Sequence, residues 1–471
     1  MKRRQLLLAA AAAGIASAGA VASRVWRSGG EPQAPVAYRP EGPLPWINWA
    51  GNQYCFPSRR EAPATEDELV ATLKRGGGVV RAVGAGHSFS ACVPTDDVLV
   101  STDLLAGLVT HDATALQAEI WAGTRMHNLG PLLDSIGQAL PNQPDMDYPA
   151  MGGAIVNGAH ATGTGFGSMP SYVRSMALAT PSGELLECSA EKNADIFQAA
   201  RVSVGALGIA SRIGLQNVAA MRLVEVNRVE KTQDVLDDIK HRCASHRHFE
   251  FLPLPHCTLC ATVATDIAPG NDTATGGDDP EALHTLQKVY DAVGWIPLIG
   301  DAGYEKLLEW ALGGAGGGTR MGPSYEIFPH VRTVRFREME YTVPDELGVA
   351  CIREILDTIV KKRIPVSFPL ECRFVKQDDI WLSPFYERDG CTISVHQFGN
   401  VDYRPYFAAI EPIFWKYQGR PHWGKIHTLD AARLARLYPR WQDFQDVRLH
   451  LDHEGRMMNR HLQTIFGTGR A

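Results

Sequence analysis

Hydrophobic and polar positions alternate in three textures along the chain. The first is one apolar run. "MKRRQLLLAAAAAGIASAGAVAS" has a basic start, an Ala/Leu-rich stretch and a small-residue end, the three-part layout of an export signal. Arg3 and Arg4 stand directly before the apolar run, as in a twin-arginine signal, and a cut after Ala20 or Ala22 suits it. A general secretory signal or an uncleaved anchor has the same layout, although the run is short for a membrane span. Residues 23–44 are rich in Pro and Gly and read as a linker.

The second texture, residues 45–216, consists of short strands and helices. "TEDELVATLKRG" has a capping Thr65, acidic residues in its first turn and a terminal glycine, which predicts a helix. "GGVVRAV", "DDVLVSTDLL" and "ALQAEIWAG" predict strands, and "MHNLGPLLDSIGQAL" a helix interrupted by proline. "SYVRSMALATPSGELLECS" predicts a strand, a Pro-Ser-Gly turn and a second strand, and "IFQAARVSVGALGIASRIGLQ" a helix feeding a strand. This mixture is α+β, without regular βαβ alternation. In the third texture, residues 217–430, strands are longer: "RHFEFLPLP", "TVRFREMEYTV", "IPVSFPLECRFV" and "CTISVHQFG". They predict a second domain with a mainly antiparallel sheet flanked by helices. "APGNDTATGGDDPEA" and "GGAGGGTRMG" read as loops on either side of a Trp/Leu-rich helical section, 284–312. Residues 431–471 are expected to pack back on the first domain.

Composition narrows the class. The 471 residues are 45% hydrophobic and 21% charged with a net charge of −6, so the chain is globular and carries no nucleic-acid footprint. A small-molecule partner is the expectation. Nine cysteines, irregularly spaced, do not make a disulfide scaffold. Cys257 and Cys260 lie in "HFEFLPLPHCTLCATVAT", which reads as strand. Positions i and i+3 of a strand face opposite ways, so no metal site is expected there.

Five stretches carry candidate chemistry. In "VGAGHSFS", Gly84 and Gly86 allow a sharp turn whose successive N–H groups could hold an anion, beside Ala85, His87 and Ser88. It matches neither the dinucleotide fingerprint nor the Walker loop, and a tight turn with a solvated histidine would also explain it. "PAMGGAIVNGAHATGTGFGSMPSYV" places Gly152, Gly153, Gly158, His160 and Gly163 where backbone would approach a ligand. "SVGALGIASRIGLQ" adds Gly208. In "PLECRFV", Glu371 and Arg373 share one strand face and offer an acceptor and a donor fork to a polyol, or form an exposed salt bridge. "RPHWGKIHTL" brings Lys425, able to stabilise an anion if buried, or a mere surface turn.

Together these motifs, in this order, resemble the sugar-1,4-lactone and alditol oxidases, flavoproteins of the vanillyl-alcohol-oxidase fold superfamily. The likeness covers roughly residues 45 to 430, and "RFREMEYTVP" resembles their cap domain. It implies a two-subdomain FAD-binding module under a substrate cap, and oxidation of a sugar-1,4-lactone of the L-gulono, L-galactono or D-arabinono type by hydride transfer to flavin N5. By resemblance His87 tethers FAD covalently. Residues 149–167 contain no cysteine, so a single link is expected. Glu371, Arg373 and His396 then meet the substrate, and Lys425 lies near the flavin N1–C2=O edge. Alditol oxidases carry threonine two residues after the matching histidine. Here Phe398 stands there, which favours a lactone over an open-chain polyol. An alditol oxidase and a non-catalytic periplasmic sugar- or nucleotide-binding protein are the competing expectations. The electron acceptor is oxygen or a respiratory acceptor. The place of action is the periplasm, with membrane association only if the signal stays uncleaved.

Overall fold

The computed structural model describes residues 42–270, 274–275, 283, 286–287, 303, 306, 317–332 and 334–468. The signal, most of the linker, most of the polar loop from Ala268 to Ala282 and nearly all of the 284–312 section lie outside the described residues.

The first helix forms where the pattern predicts it, Glu66–Lys74. Thr65 Oγ1 accepts the Glu68 N–H, and Glu68 accepts the Ala64 N–H in return. Leu69 and Leu73, one turn apart, bury its apolar stripe. It covers a module made of two sheets. A parallel sheet runs Arg59–Glu61, Val98–Ser101, Val80–Val83. An antiparallel sheet runs Leu185–Ser189, Val173–Ala179, Ile209–Gln216, Gln117–Trp121, Leu108–Asp112. The last of these strands is exposed and polar over much of its length, and no hydrophobic period announced it.

The second module is one antiparallel sheet, nine-stranded among the described residues. Its order is Ala274–Thr275, Gly318–Pro323, Arg222–Lys231, Leu259–Ile267, His248–Pro253, Glu371–Val375, Gly390–Phe398, Phe336–Pro344, Arg420–Pro421. The helices Asp345–Lys361 and Arg404–Lys416 pack against one face of it, and the first module lies across the cavity from the other, so the central strands are buried on both faces. The C-terminal segment returns to the first module. The Val80 N–H donates to Arg456 O (2.8 Å), and Asn459 donates to the carbonyls of Ala91 and Pro94. Arg81, only 3% exposed, donates to four carbonyls, those of Cys92, Val204, Gly205 and Met457, and so ties three segments together.

In the glycine-rich stretch after Pro149, for which no element was predicted, Met151–Val156 is helical and Met169–Tyr172 is a 3₁₀ turn. Three local expectations need correction. "HFEFLPLPHCTLCATVAT" is a hairpin, with Cys257 at its turn and only Cys260 on a strand. "GGAGGGTRMG" ends in the strand Gly318–Pro323, recruited by pairing with Arg222–Lys231 despite its glycines. In "IPVSFPLECRFV" only Glu371–Val375 is strand, because Pro365 and Pro369 lack the N–H that a central ladder needs.

Candidate active site

Strand register assembles the site. Glu371 and Arg373 point from one face of their strand. Arg373 sits opposite Glu250 on one side, and Glu371 opposite Ser394 on the other. The next strand pairs Glu340 with Ser394 and Glu338 with His396. Beyond it, the His422 N–H donates to Glu340 O and the Ile426 N–H to Glu338 O, which brings the "PHWGK" turn alongside. Three neighbouring strands and one turn thus present their polar side chains in adjacent rows. Those rows face the first module across a cavity of about 260 Å³ that both modules line.

The turn of residues 84–88 forms the opposing wall. It is stitched to the lysine turn: the N–H groups of Phe89 and Ser90 donate to Gly424 O, and Ser90 Oγ donates to Trp423 O. Gly86 adopts φ +68°, and a Cβ there would meet the Trp46 ring at 3.2 Å. Gly84 lies so close to Ala150 that a Cβ would come within 2.9 Å of the Ala150 Cβ. The N–H groups of Ala85, Gly86, His87 and Ser88 donate to no described residue, although they border the cavity. Four unpaired donors in one turn suit a pyrophosphate. Gly153 borders the same cavity, and a Cβ there would enter open space, so its missing side chain leaves room for a ligand. The fit to FAD therefore rests on unpaired donors and on side chains withheld.

His87 is held between rings, stacked on Trp49 at 5.1 Å and on Tyr148 at 5.6 Å. Burial lowers its pKa to about 4, with Lys425 and Arg125 adding repulsion, so it is a neutral imidazole at pH 7. Lys425 Nζ pairs with Glu338 at 2.5 Å and lies over the Phe89 ring. Burial opposes its charge, but Glu338 and Glu340 outweigh burial and raise its pKa. Glu340 accepts from Ser394 Oγ at 2.8 Å and faces His160 Nε2 at 2.6 Å. His396 turns Nδ1 to Pro369 O and Nε2 toward Glu338, 3.6 Å away. Donor atoms of Glu338, Glu371 and His396 gather within 4.8 Å, as do those of His160, Glu340 and His422. The first group already has a cation in Lys425.

Arg373 carries the densest cluster. Its guanidinium meets Glu371 (2.5 Å), Glu250 (2.6 Å) and Asp145 (3.3 Å). Arg332 meets Asp145 at 2.6 Å and reaches to 3.8 Å from Glu371. Burial raises the Glu371 pKa to about 7, helped by Asp145 and Glu250 and opposed by Arg373 and Arg332. A carboxyl poised near neutrality beside a fixed guanidinium can take a hydroxyl proton while neighbouring oxygens stay oriented.

The cavity gathers Glu371, Arg373, His396, Lys425, Gly84, Ala85, Gly86, His87, Ser88, Gly152, Gly153, His160 and Gly208. Gly158 and Gly163 do not border it, a correction to the sequence expectation. Gly158, at φ +71°, packs on Val202 and Pro384, and Gly163, at φ +130°, has no room for a Cβ against Arg247 O. Both glycines serve chain turns. His160 faces the cavity, but its hydrogen bonds are to protein, with Glu340 and Ala161 O. Phe398 does not line the cavity either. It packs on Phe368, one layer behind. Sequence reading missed Asp145, Glu250, Arg332, Glu338 and Glu340. The i, i+2 rule that singled out Glu371 and Arg373 also applies to Glu338 and Glu340 in "REMEY" and would have found them.

Comparison with known proteins agrees with this geometry. A family model described as D-arabinono-1,4-lactone oxidase matches residues 213–465, and one described as FAD binding domain matches residues 57–189. The L-gulono-1,4-lactone dehydrogenase of Mycobacterium tuberculosis is 32% identical over 431 residues, covering 90% of this chain and 99% of that protein. The L-gulonolactone oxidase of Mus musculus is 28% identical over 436 residues, covering 89% and 97%. In fold, the chain is similar to a histidine-to-alanine mutant of cholesterol oxidase from Brevibacterium sterolicum, with a TM-score of 0.74 at 13% identity, covering 92% of this chain and 99% of that one. FAD is the cofactor, and the chain is a flavin-dependent oxidoreductase that belongs to the D-arabinono-1,4-lactone oxidase family.

Proposed function

We propose that this protein oxidises a sugar-1,4-lactone of the L-gulono, L-galactono or D-arabinono type at a carbinol carbon. The observation that carries this reading is the buried Glu371–Arg373 pair on the same cavity wall as the Lys425–Glu338 pair, in a cavity that both modules line. Bound FAD supplies the hydride acceptor at N5. The chain supplies the rest. Arg373 and Arg332 donate to ring and carbonyl oxygens, the Glu371 carboxylate accepts the reacting hydroxyl, and His396 closes the same wall. Lys425 places a positive charge where negative charge gathers on reduction. Turnover with L-gulono- or D-arabinono-1,4-lactone should far exceed turnover with xylitol or sorbitol. Activity on polyols alone would overturn the lactone assignment in favour of an alditol oxidase.

His87 is proposed as the covalent tether. Its ring is neutral, borders the cavity and receives no hydrogen bond from a described residue, so a nitrogen lone pair is available. Wild-type protein should stay yellow through acid precipitation, and His87→Ala should release its flavin to the acid supernatant. Wild-type flavin that acid extracts completely refutes the tether.

Export is the remaining proposal. The basic start and Arg3-Arg4 pair support twin-arginine transport of a folded, flavin-loaded protein to the periplasm. Among the described residues no helix is long and apolar enough to cross a membrane. Changing both arginines to lysine should retain the protein in the cytoplasm, and unchanged fractionation would point to the general secretory route. Oxygen and a respiratory carrier are both proposed acceptors, and peroxide yield against dye reduction separates them.

A further inference from the structure

The His87 ring is oriented without a hydrogen bond. Neither of its nitrogens has a partner among the described residues, and Lys425 and Arg125 act on it only through their charge. Two aromatic rings fix it instead. Trp49 stacks on it at 5.1 Å with 23° between the planes, and Tyr148 at 5.6 Å with 22°. A ring on each face leaves the imidazole only its edge, and His87 borders the cavity.

The two rings differ in setting. Trp49 is built into the protein: its N–H donates to Gly86 O at 2.8 Å, and its ring meets Phe336 at 5.3 Å and Phe89 at 6.3 Å. It borders the cavity too. Tyr148 does not border the cavity and is 50% exposed, so it covers the imidazole from the solvent side. Its backbone is nonetheless fixed on both sides. The His127 N–H donates to Asp147 O at 2.9 Å and the Met126 N–H to Pro149 O at 3.1 Å, while the His127 ring meets Tyr148 at 5.9 Å. Three residues upstream, Asp145 is pinned by Arg332 and Arg373. Singly exposed aromatic side chains are ordinary. This one differs because it is stacked on a cavity-wall histidine that nothing else orients.

We infer that Tyr148 is a positioning residue for the flavin link: with Trp49 it forms a slot that fixes the plane of the His87 imidazole and shields it from water. The inference rests on the His87 tether proposed above. In link formation a lone pair of one His87 nitrogen makes the bond to the flavin 8α carbon. A C–H bond breaks at that carbon, its proton leaves to solvent and its electron pair reduces the flavin. The other ring nitrogen sheds its proton, and the imidazole is neutral again. Dissolved oxygen takes up the two electrons and two protons and leaves as hydrogen peroxide. Only an unprotonated ring has the lone pair to give. Burial is the main cause that holds the His87 pKa down at about 4, and the Tyr148 ring contributes to that burial. The charges facing the ring are Lys425, paired with Glu338, and Arg125, paired with Asp103, while His127 stands behind Tyr148.

The test compares flavin that survives acid precipitation with flavin that acid extracts, in full-length holoprotein purified soon after induction. Tyr148→Ala should bind FAD, with a ratio of acid-stable to extractable flavin about tenfold below wild type. Tyr148→Phe keeps the ring and should match wild type. The Tyr148→Ala holoprotein, incubated in air, should convert its remaining flavin to the acid-stable form faster at about pH 7.5 than at about pH 5.5, because an imidazole open to water titrates nearer its ordinary pKa of 6.5. A wild-type ratio in Tyr148→Ala, a Tyr148→Phe ratio as low as that of Tyr148→Ala, or equal conversion at both pH values overturns the inference. If Tyr148→Ala does not fold, Tyr148→Leu, which keeps bulk without an aromatic face, reads the same ratio. Failure of the tether itself shows separately, as wild-type flavin that acid extracts completely, and the role of Tyr148 falls with it.

Discussion

Arg373→Lys is expected to cut lactone turnover by roughly 10- to 100-fold while leaving the flavin bound. The guanidinium fork holds three carboxylates at once, those of Glu371, Glu250 and Asp145. An ammonium keeps the charge but loses the planar fork. Losing one charge-assisted hydrogen bond costs about 1.5–3 kcal/mol, and each 1.36 kcal/mol is about tenfold in rate. Alanine is the poorer probe, because it strands three buried acids around an empty site, at a cost of about 3–5 kcal/mol in stability. The partner substitution, Glu371→Gln, reads the proton. Burial raises the Glu371 pKa to about 7, so the carboxylate that accepts the hydroxyl forms as pH rises through that value. Wild-type kcat/KM should therefore climb across about pH 7, and Glu371→Gln should flatten the climb. Loss of flavin without a change in turnover per flavin would make the pair structural.

Lys425→Met should slow flavin reduction by about 10²- to 10³-fold, the range found when one preorganised donor to developing negative charge is removed. Lys425 is also the cation beside Glu338, whose pKa stands near 2 because Lys425 and His396 outweigh burial. Removing the lysine alone therefore leaves a buried carboxylate unpaired, and that acid will protonate. The double variant Lys425→Met/Glu338→Gln restores neutrality and isolates the role in reduction. Slow reduction in both variants locates the effect at the lysine charge, whereas recovery in the double variant would assign it to the stranded glutamate. The same pair stabilises the fold. A depressed carboxylate contributes stability above its ordinary pKa of 4.5 and loses it as pH falls toward 2. Wild-type stability should drop through that window, and the double variant should drop less.

Sequence reading went far for the elements and less far for the site. Helix Glu66–Lys74 was legible because its cap, acidic first turn and apolar stripe all agree. Strand Phe336–Pro344 was legible from its aromatic and β-branched residues, and Val173–Ala179 from the Pro-Ser-Gly turn that follows it. Gly318–Pro323 was not, because glycine-rich chain becomes strand only when a neighbour such as Arg222–Lys231 pairs with it. Gly158 and Gly163 illustrate the same limit. A glycine shows that a Cβ would be costly, without showing whether a cofactor or another turn of chain takes the space.

By itself, then, the sequence determined the α+β class, the order of the five motifs, and the pairing of Glu371 with Arg373, since a two-residue strand period is a local property of backbone geometry. Tertiary structure alone decided which charges meet. Asp145 and Arg332 come from loops far apart in sequence, and Glu250, Glu338 and Glu340 from three different positions on one sheet. Strand register and loop docking bring Asp145 and Glu250 within reach of Arg373, Arg332 within reach of Asp145, and Glu338 within reach of Lys425. Nothing local in "VGAGHSFS" states that its N–H groups would be left unpaired or that Gly424 would be stitched behind it. Those are long-range contacts, and long-range contacts set the burial that holds His87 neutral and brings Glu371 to the edge of ionisation.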